Sequence, residues 1–325
     1  MRMWVESFPE MLEEAWQAPA PEGFALEAGR SVLLGGMGGS GMAGALVAIL
    51  LQAKGREASW WRDPALPAWL GLQDRFVLAS YSGETWEAAA MLDDAIGRQI
   101  PTRAVASGGR IRSRCEEAGI PCFQVPAGLA PRASLPWLLV GCMRATGAIG
   151  AEEVAASVRC LRAERSSGTS GRDPVVLAGR MQGRLACLLP VGPSMEVVAL
   201  RWRNQILENA EQAAIISPLP EMAHNEIMGW PHLRELRLPV SFFVLADLEP
   251  PCARITSLLH ALEEEAQRWG HPFAVVPPPS CGGLAGLLAQ VYLGDRISVE
   301  LADSRGVAAT PVEAIRRLRE IAGKE

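Results

Sequence analysis

The sequence predicts an α/β fold built on two doubly wound parallel sheets. Three observations carry that prediction. Apolar runs of strand length alternate with helix-length segments through both halves of the chain. The clearest runs end in glycine and hydroxyl residues, the punctuation of a strand-to-helix turn. A Ser/Gly/Thr-rich stretch, Ser166 to Gly171, separates two such series like a linker. With 325 residues and roughly 150 residues per domain, two domains are expected, at 1–165 and 172–325.

Taken in order, Pro9 to Gln17 reads as an opening helix. Val32 to Leu34 is a buried strand, followed by Gly35, Gly36, Gly38, Gly39, Ser40 and Gly41, and then an Ala-rich helix from Met42 to Ala53. Ala58 to Arg62 is a short strand stopped by Asp63-Pro64. Arg75 to Ser80 is a strand that runs into Tyr81-Ser82-Gly83-Glu84-Thr85, and Trp86 to Ile96 is helical. Thr102 to Ala106 is a strand ending at Ser107-Gly108-Gly109, with a helix over Arg110 to Ala118 and a strand over Pro121 to Val125. Leu135 to about Arg162 reads as a long helical region. The second series has strands at Leu185–Val191, Val240–Leu245 and Phe273–Val276. Its helices are expected at Met195–Gln212, Cys252–Trp269, Leu284–Leu301 and Pro311–Ala322. Gly192-Pro193-Ser194, after the first of these strands, echoes the glycine loop of the first half.

Composition narrows the function classes. Apolar residues make up 49%, enough for two cores, and the net charge of −5 argues against a nucleic-acid partner, which needs a basic face. No run reaches the 18 apolar residues of a membrane span. The N-terminal Met-Arg-Met-Trp-Val-Glu carries no apolar signal core, so a cytoplasmic protein is expected. The seven cysteines are scattered with no C-x-x-C pair, which predicts reduced thiols and no zinc site. Lys54 and Lys324 are the only lysines.

The chemistry centres on the two glycine- and hydroxyl-bearing loops. Glycines at a strand-to-helix turn let backbone N–H groups approach an anion, and the helix N-terminus favours negative charge. Gly36-x-Gly38-x-x-Gly41 also fits a dinucleotide fingerprint, with Asp63 about where a ribose-binding acid would sit, and a bare tight turn is a further reading. The second loop weighs against both. Ser80, Ser82 and Thr85 put three hydroxyls within six residues, suited to a compact monophosphate, although Thr85 with Glu87 also has the makings of a plain helix cap. In a sheet of this type both loops lie beyond the carboxyl ends of the strands, where ligands bind.

Gly-Met-Gly-Gly-Ser at 36–40 and Ser-Tyr-Ser-Gly-x-Thr at 80–85 resemble the sugar isomerase (SIS) domain, and the chain is similar to the bifunctional phosphoglucose/phosphomannose isomerases over nearly its whole length. Pro131-Arg132-Ala133, Arg201-Trp202-Arg203 with Glu208-Asn209-Ala210, Pro220-Glu221-x-x-His224-Asn225-Glu226-Ile227 and Gly294-Asp295-x-x-Ser298-Val299 carry the more specific likeness. The resemblance implies two SIS-type subdomains, flavodoxin-like three-layer αβα, with a C-terminal helix. It implies aldose–ketose isomerisation of glucose 6-phosphate, and of mannose 6-phosphate, with fructose 6-phosphate through an enediol, with no cofactor and no metal. A phosphosugar-binding sensor of the same fold is the alternative. A transcription regulator of this fold is disfavoured, since no helix-turn-helix precedes residue 31.

Such a reaction needs a held phosphate, ring opening, and a base that carries a proton between C1 and C2. The resemblance implies Gly39, Ser40, Ser80, Ser82 and Thr85 as phosphate ligands and Glu208 as the base, a carboxylate suited to the work when burial brings its pKa toward neutrality. His224 has the right range for ring opening and, by the resemblance, reaches the partner's site in a homodimer. Arg132 would stabilise the enediolate oxygens, while Asn225 and Glu226 stand beside the site with no assigned role. The chain departs from the family pattern at its end. Arg319 stands where the pattern has a lysine, and Gly306-Val307-Ala308-Ala309 lacks an acid found there. Arg319 can contact substrate as a donor but cannot act as a base.

Overall fold

The computed structural model describes residues 1–166, 171–235, 237–247 and 252–322. It divides into two compact units, one of residues 3–166 with 281–289, the other of residues 1–2, 167–280 and 290–325.

In the first unit the elements are α1 (Arg2–Glu6), α2 (Phe8–Gln17), β1 (Val32–Gly35), α3 (Gly38–Ala53), β2 (Ala58–Trp61), β3 (Arg75–Ser80), α4 (Trp86–Gly97), β4 (Thr102–Ala106), α5 (Gly109–Ala118), β5 (Cys122–Gln124), α6 (Leu135–Thr146) and α7 (Ala151–Ser166). All five strands are parallel, in the order β2-β1-β3-β4-β5. This is the 2-1-3-4-5 order whose switch point lies between β1 and β3. Strands of such a sheet are covered on both faces, which is why they read as unbroken apolar runs. All four residues of β1 are buried, as are Phe76 to Ser80 of β3. Leu33, Phe76, Leu78, Met91 and Leu92 share one core cluster with Ile111 and Cys115.

In the second unit the elements are α8 (Pro174–Met181), β6 (Leu185–Pro190), α9 (Pro193–Ala210), β7 (Ala214–Ile216), β8 (Val240–Leu245), α10 (Ala253–Trp269), β9 (Phe273–Val276), α11 (Gly283–Arg305), whose first turns belong to the first unit, and α12 (Glu313–Ala322). Its four strands are parallel in the order β7-β6-β8-β9. Renumbered from β6, that order is 2-1-3-4, the first sheet's connectivity short of one strand. The echo between the Gly-Gly-Ser and Gly-Pro-Ser loops is thus matched by topology.

Several expectations are corrected. The helical region over Leu135 to Arg162 is resolved into two helices, because Gly147 takes φ 61° as a left-handed cap after α6 and the chain restarts at Ala151. The helix expected from Met42 begins at Gly38, so the glycine loop supplies its first turn. Helix α8 and strand β7 were not anticipated. Strand β7 has only three residues, but α8 does carry a sequence signal: Asp173 caps its amides through Val175 N at 2.8 Å, with Pro174 at the first position. The thiols are not all reduced, since Cys160 on α7 and Cys281 form a disulfide across 121 residues, a proximity only the fold creates. Of the expected linker, residues 167–170 lie outside the described residues. Among the described residues no helix is long and apolar enough to cross a membrane.

Candidate active site

The C-terminal ends of β1 and β3 send their loops out side by side at the switch point. Loop one, Gly36-Met37, leads directly into α3. A side chain at Gly41 would place its Cβ 2.5 Å from the Gly36 carbonyl oxygen, so the loop closes on itself only as glycine. Ser40 lies in the first turn of α3, 9% exposed, and its Oγ accepts a hydrogen bond from the Tyr81 backbone N at 3.0 Å. That bond joins the first loop to the second.

The second loop is braced from its far side. Gly83 has φ 69°, and a Cβ there would sit 1.9 Å from the Gly108 carbonyl oxygen. Ile111 N donates to the Gly83 carbonyl at 2.9 Å, and Arg110 N donates to Glu84 Oε1 at 3.1 Å. Ser107 donates through N and Oγ to the Tyr81 carbonyl at 3.0 and 2.6 Å. The Ser-Gly-Gly end of β4 is therefore a buttress for the loop after β3. Tyr81 extends the brace: its hydroxyl donates to the Pro126 carbonyl at 3.3 Å and accepts from Leu129 N at 2.7 Å. Burial pushes the Tyr81 phenol up, against a lowering by the Leu129 amide. Tyr81 is a residue whose role the sequence reading missed, because only the fold brings residues 126–129 to it.

Of the hydroxyls, Ser80 is 2% exposed and its Oγ has no hydrogen-bond partner among the described residues. A buried hydroxyl left unpaired costs stability unless a ligand takes it. Thr85 is the N-cap residue of α4 but its side chain makes no capping bond, so the plain-cap reading fails. Ser82 is exposed, and its Oγ accepts from Glu84 N at 3.2 Å. Asp63, the would-be ribose acid, accepts from Ala65 N at 3.0 Å in its own turn, which removes the support for a dinucleotide.

Arg132 completes this side. It is 4% exposed in the 3₁₀ turn Pro131–Ala133, and its Cα would lie 3.3 Å from a Cβ at Gly39. The first unit thus brings Gly39, Ser40, Ser80, Ser82, Thr85 and Arg132 to one sheet edge.

Glu208 and His224 belong to the second unit. Glu208 is half-buried near the end of α9, between buried Gln205 and Asn209. His224 is exposed at the end of a 3₁₀ turn, Glu221–His224, in the segment that follows β7. Asn225 and Glu226 serve that segment itself: Asn225 Oδ1 accepts from Glu226 N at 2.6 Å, and Ser217 Oγ donates to Glu226 Oε2 at 2.5 Å. Arg319 falls within α12, and its side chain lies outside the described residues. Among the described residues no group of three or more His, Cys, Asp or Glu is placed to hold a metal ion.

Comparison with known proteins bears on this arrangement. Residues 172–321 match the family described as bacterial phospho-glucose isomerase C-terminal SIS domain. A bifunctional phosphoglucose/phosphomannose isomerase of Aquifex aeolicus is 30% identical over 299 residues, 90% of each chain. The chain belongs to that family. A second member, from Aeropyrum pernix, is 32% identical over 69% of this chain and 68% of its own. Among solved structures, a hypothetical protein of Thermus thermophilus superposes with a TM-score of 0.70 at 16% identity, over 99% of this chain and 90% of that one. That likeness speaks for the two-subdomain α/β fold.

Proposed function

We propose that this chain is an aldose–ketose isomerase that interconverts glucose 6-phosphate and mannose 6-phosphate with fructose 6-phosphate. The observation that carries the reading is the unpartnered, buried Ser80 hydroxyl between two locked strand-end loops, a preformed seat for a phosphate, in a chain of this family. Residues 1–165 form the phosphate-binding domain, and 172–325 the domain with the acid–base residues.

The phosphate takes the Gly39 amide at the start of α3 and the hydroxyls of Ser40, Ser80, Ser82 and Thr85. The N-terminal dipole of α3 offsets part of its charge. His224 moves the proton that opens the ring, and its exposure suits a residue offered to the site of a partner in a homodimer. Glu208 removes the proton from C2 of the aldose and returns it to C1, so that the intermediate is an enediol and no net proton is consumed. Arg132, held against the phosphate loop, stabilises the charge that develops on the oxygens of that intermediate. Arg319 donates a hydrogen bond to the sugar, where a lysine stands in the family pattern. The enzyme works in the cytoplasm on central sugar phosphates.

The test is turnover of fructose 6-phosphate by the purified protein, with the two aldose phosphates read separately. A rate on the order of 1 s⁻¹ or more is expected. Thermal stabilisation by fructose 6-phosphate without turnover would replace the isomerase with a phosphosugar-binding relative.

A further inference from the structure

Two motifs of the second unit, Arg201-Trp202 with Asn209 and Gly294-Asp295-x-x-Ser298, take no part in the chemistry assigned above. The structure brings them face to face. Arg201 Nε and Nη2 donate to Asp295 Oδ1 and Oδ2, each at 2.8 Å, with the two side chains 2% and 3% exposed. Trp202 Nε1 donates to the Gln290 carbonyl at 2.7 Å. Asn209 Nδ2 donates to Ser298 Oγ at 2.9 Å, and Ser298 Oγ donates to the Asp295 carbonyl at 2.7 Å. Burial pushes the Asp295 carboxyl up, opposed by the Arg201 charge and by hydrogen bonds from Arg201 and Gln205. The helices approach closely because Gly294 lies under the indole: a Cβ there would be 2.1 Å from Trp202 Cδ1.

Residues 201, 205 and 209 recur every four positions and so line one face of α9. The rungs at 201 and 209 meet α11 at residues 295 and 298, and Trp202 beside them meets it at residue 290. A buried ion pair adds little stability over a well-packed apolar pair, but breaking one is costly. Such a pair therefore tolerates one arrangement only. If α9 rotates or slides by one residue, a buried charge and an amide lose their partners. An apolar interface would let the helix settle in neighbouring positions. The residue whose aim depends on that rotation is Glu208, which sits between the rungs at 205 and 209.

We propose that Asp295 is a positioning residue for the isomerisation. Through Arg201 and the Ser298–Asn209 bond it fixes the rotation and register of α9, and with them the aim of the Glu208 carboxylate. This rests on the reading of Glu208 as the proton-transfer base.

The test compares Asp295→Asn and Ser298→Ala in two backgrounds, the native chain and Glu208→Gln. The assay is steady-state turnover of fructose 6-phosphate at a temperature well below every variant's Tm. In the native background, Asp295→Asn is expected to lower kcat by roughly 10- to 100-fold, the scale of a misplacement of about 1 Å, and to leave KM within about twofold, since the phosphate loops belong to the other unit. Ser298→Ala, a milder cut beside Asn209, is expected to lower kcat by roughly threefold or more with KM unchanged, and it decides the matter if Asp295→Asn does not fold. In the Glu208→Gln background both are expected to cost less than about twofold, because the group they aim is gone. Folded variants with native kcat would overturn the positioning role. So would the same fold loss in both backgrounds, which marks a general structural effect. Full turnover by Glu208→Gln alone would instead overturn the base itself, and the positioning role with it.

Discussion

Replacing Gly83 with alanine tests how the proposed phosphate seat is built. The residue has φ 69°, which costs an alanine about 1 kcal/mol. The larger effect is steric. The new Cβ would lie 1.9 Å from the Gly108 carbonyl oxygen, so the two loops must part by about 1 Å or more to reach the 3.0 Å that such contacts ordinarily keep. That movement breaks the Ile111 N to Gly83 carbonyl bond, and it draws Ser80, Ser82 and Thr85 away from Ser40. A displacement of about 1 Å at groups that orient a substrate is worth roughly 100-fold in kcat/KM, or about 2.7 kcal/mol of transition-state stabilisation. The assay is the kinetics of fructose 6-phosphate turnover, with inhibition by inorganic phosphate measured alongside. Both the KM and the phosphate inhibition constant should rise. Gly97→Ala at the end of α4, where a Cβ meets nothing within 4 Å, is the control and should change neither. A Gly83→Ala protein with native KM and native phosphate inhibition would refute the idea that contact between the loops shapes the seat.

The other predictions concern single side chains. Ser80→Ala should raise KM for fructose 6-phosphate by roughly tenfold yet leave Tm equal or higher, because the hydroxyl removed is buried without a protein partner; a lower Tm with unchanged KM would make Ser80 structural. Glu208→Gln should lower kcat by roughly 100- to 10,000-fold to a small residual rate, while fructose 6-phosphate still stabilises the protein thermally; a variant that turns over normally has some other base. Asp74 is fully buried, and although burial pushes its carboxyl up, hydrogen bonds from Arg30, the Gly71 amide and Ser31 outweigh this and hold it below the usual carboxylate range. Its contribution is therefore present above the unfolded value of about 3.9 and is lost as pH falls through the lower folded value. Asp74→Asn should be about 2 kcal/mol less stable at pH 7 by thermal or denaturant unfolding, with the gap narrowing steadily as pH falls below about 4; a gap that stays constant as pH falls would mean that the loss is one of shape and not of charge.

Much of this molecule is written locally. Buried parallel strands need no partner information to be recognised, because both faces are apolar and the run is unbroken, and so β1, β3, β4 and β8 are legible from Val32, Phe76, Ala104 and Val240 onward. The glycine and hydroxyl loops are legible for the same reason: positive φ and close backbone approach restrict the residue type at a position, whatever surrounds it. The break at Gly147 was less so, since glycine inside an apolar helix also occurs without ending it.

Long-range pairing belongs to the tertiary structure alone. Nothing near Cys160 points to Cys281, and nothing near Arg201 points to Asp295, because each pairing depends on how elements far apart in the chain are packed. The bond from Tyr81 N to Ser40 Oγ likewise arises only when β1 and β3 become neighbours in the sheet. Residue types and local spacing therefore determined that this chain has two α/β subdomains and that its strand-end loops carry a cluster of hydroxyls. The fold decided which of those hydroxyls is left buried without a partner among the described residues, and which buried charges hold the helix that carries Glu208.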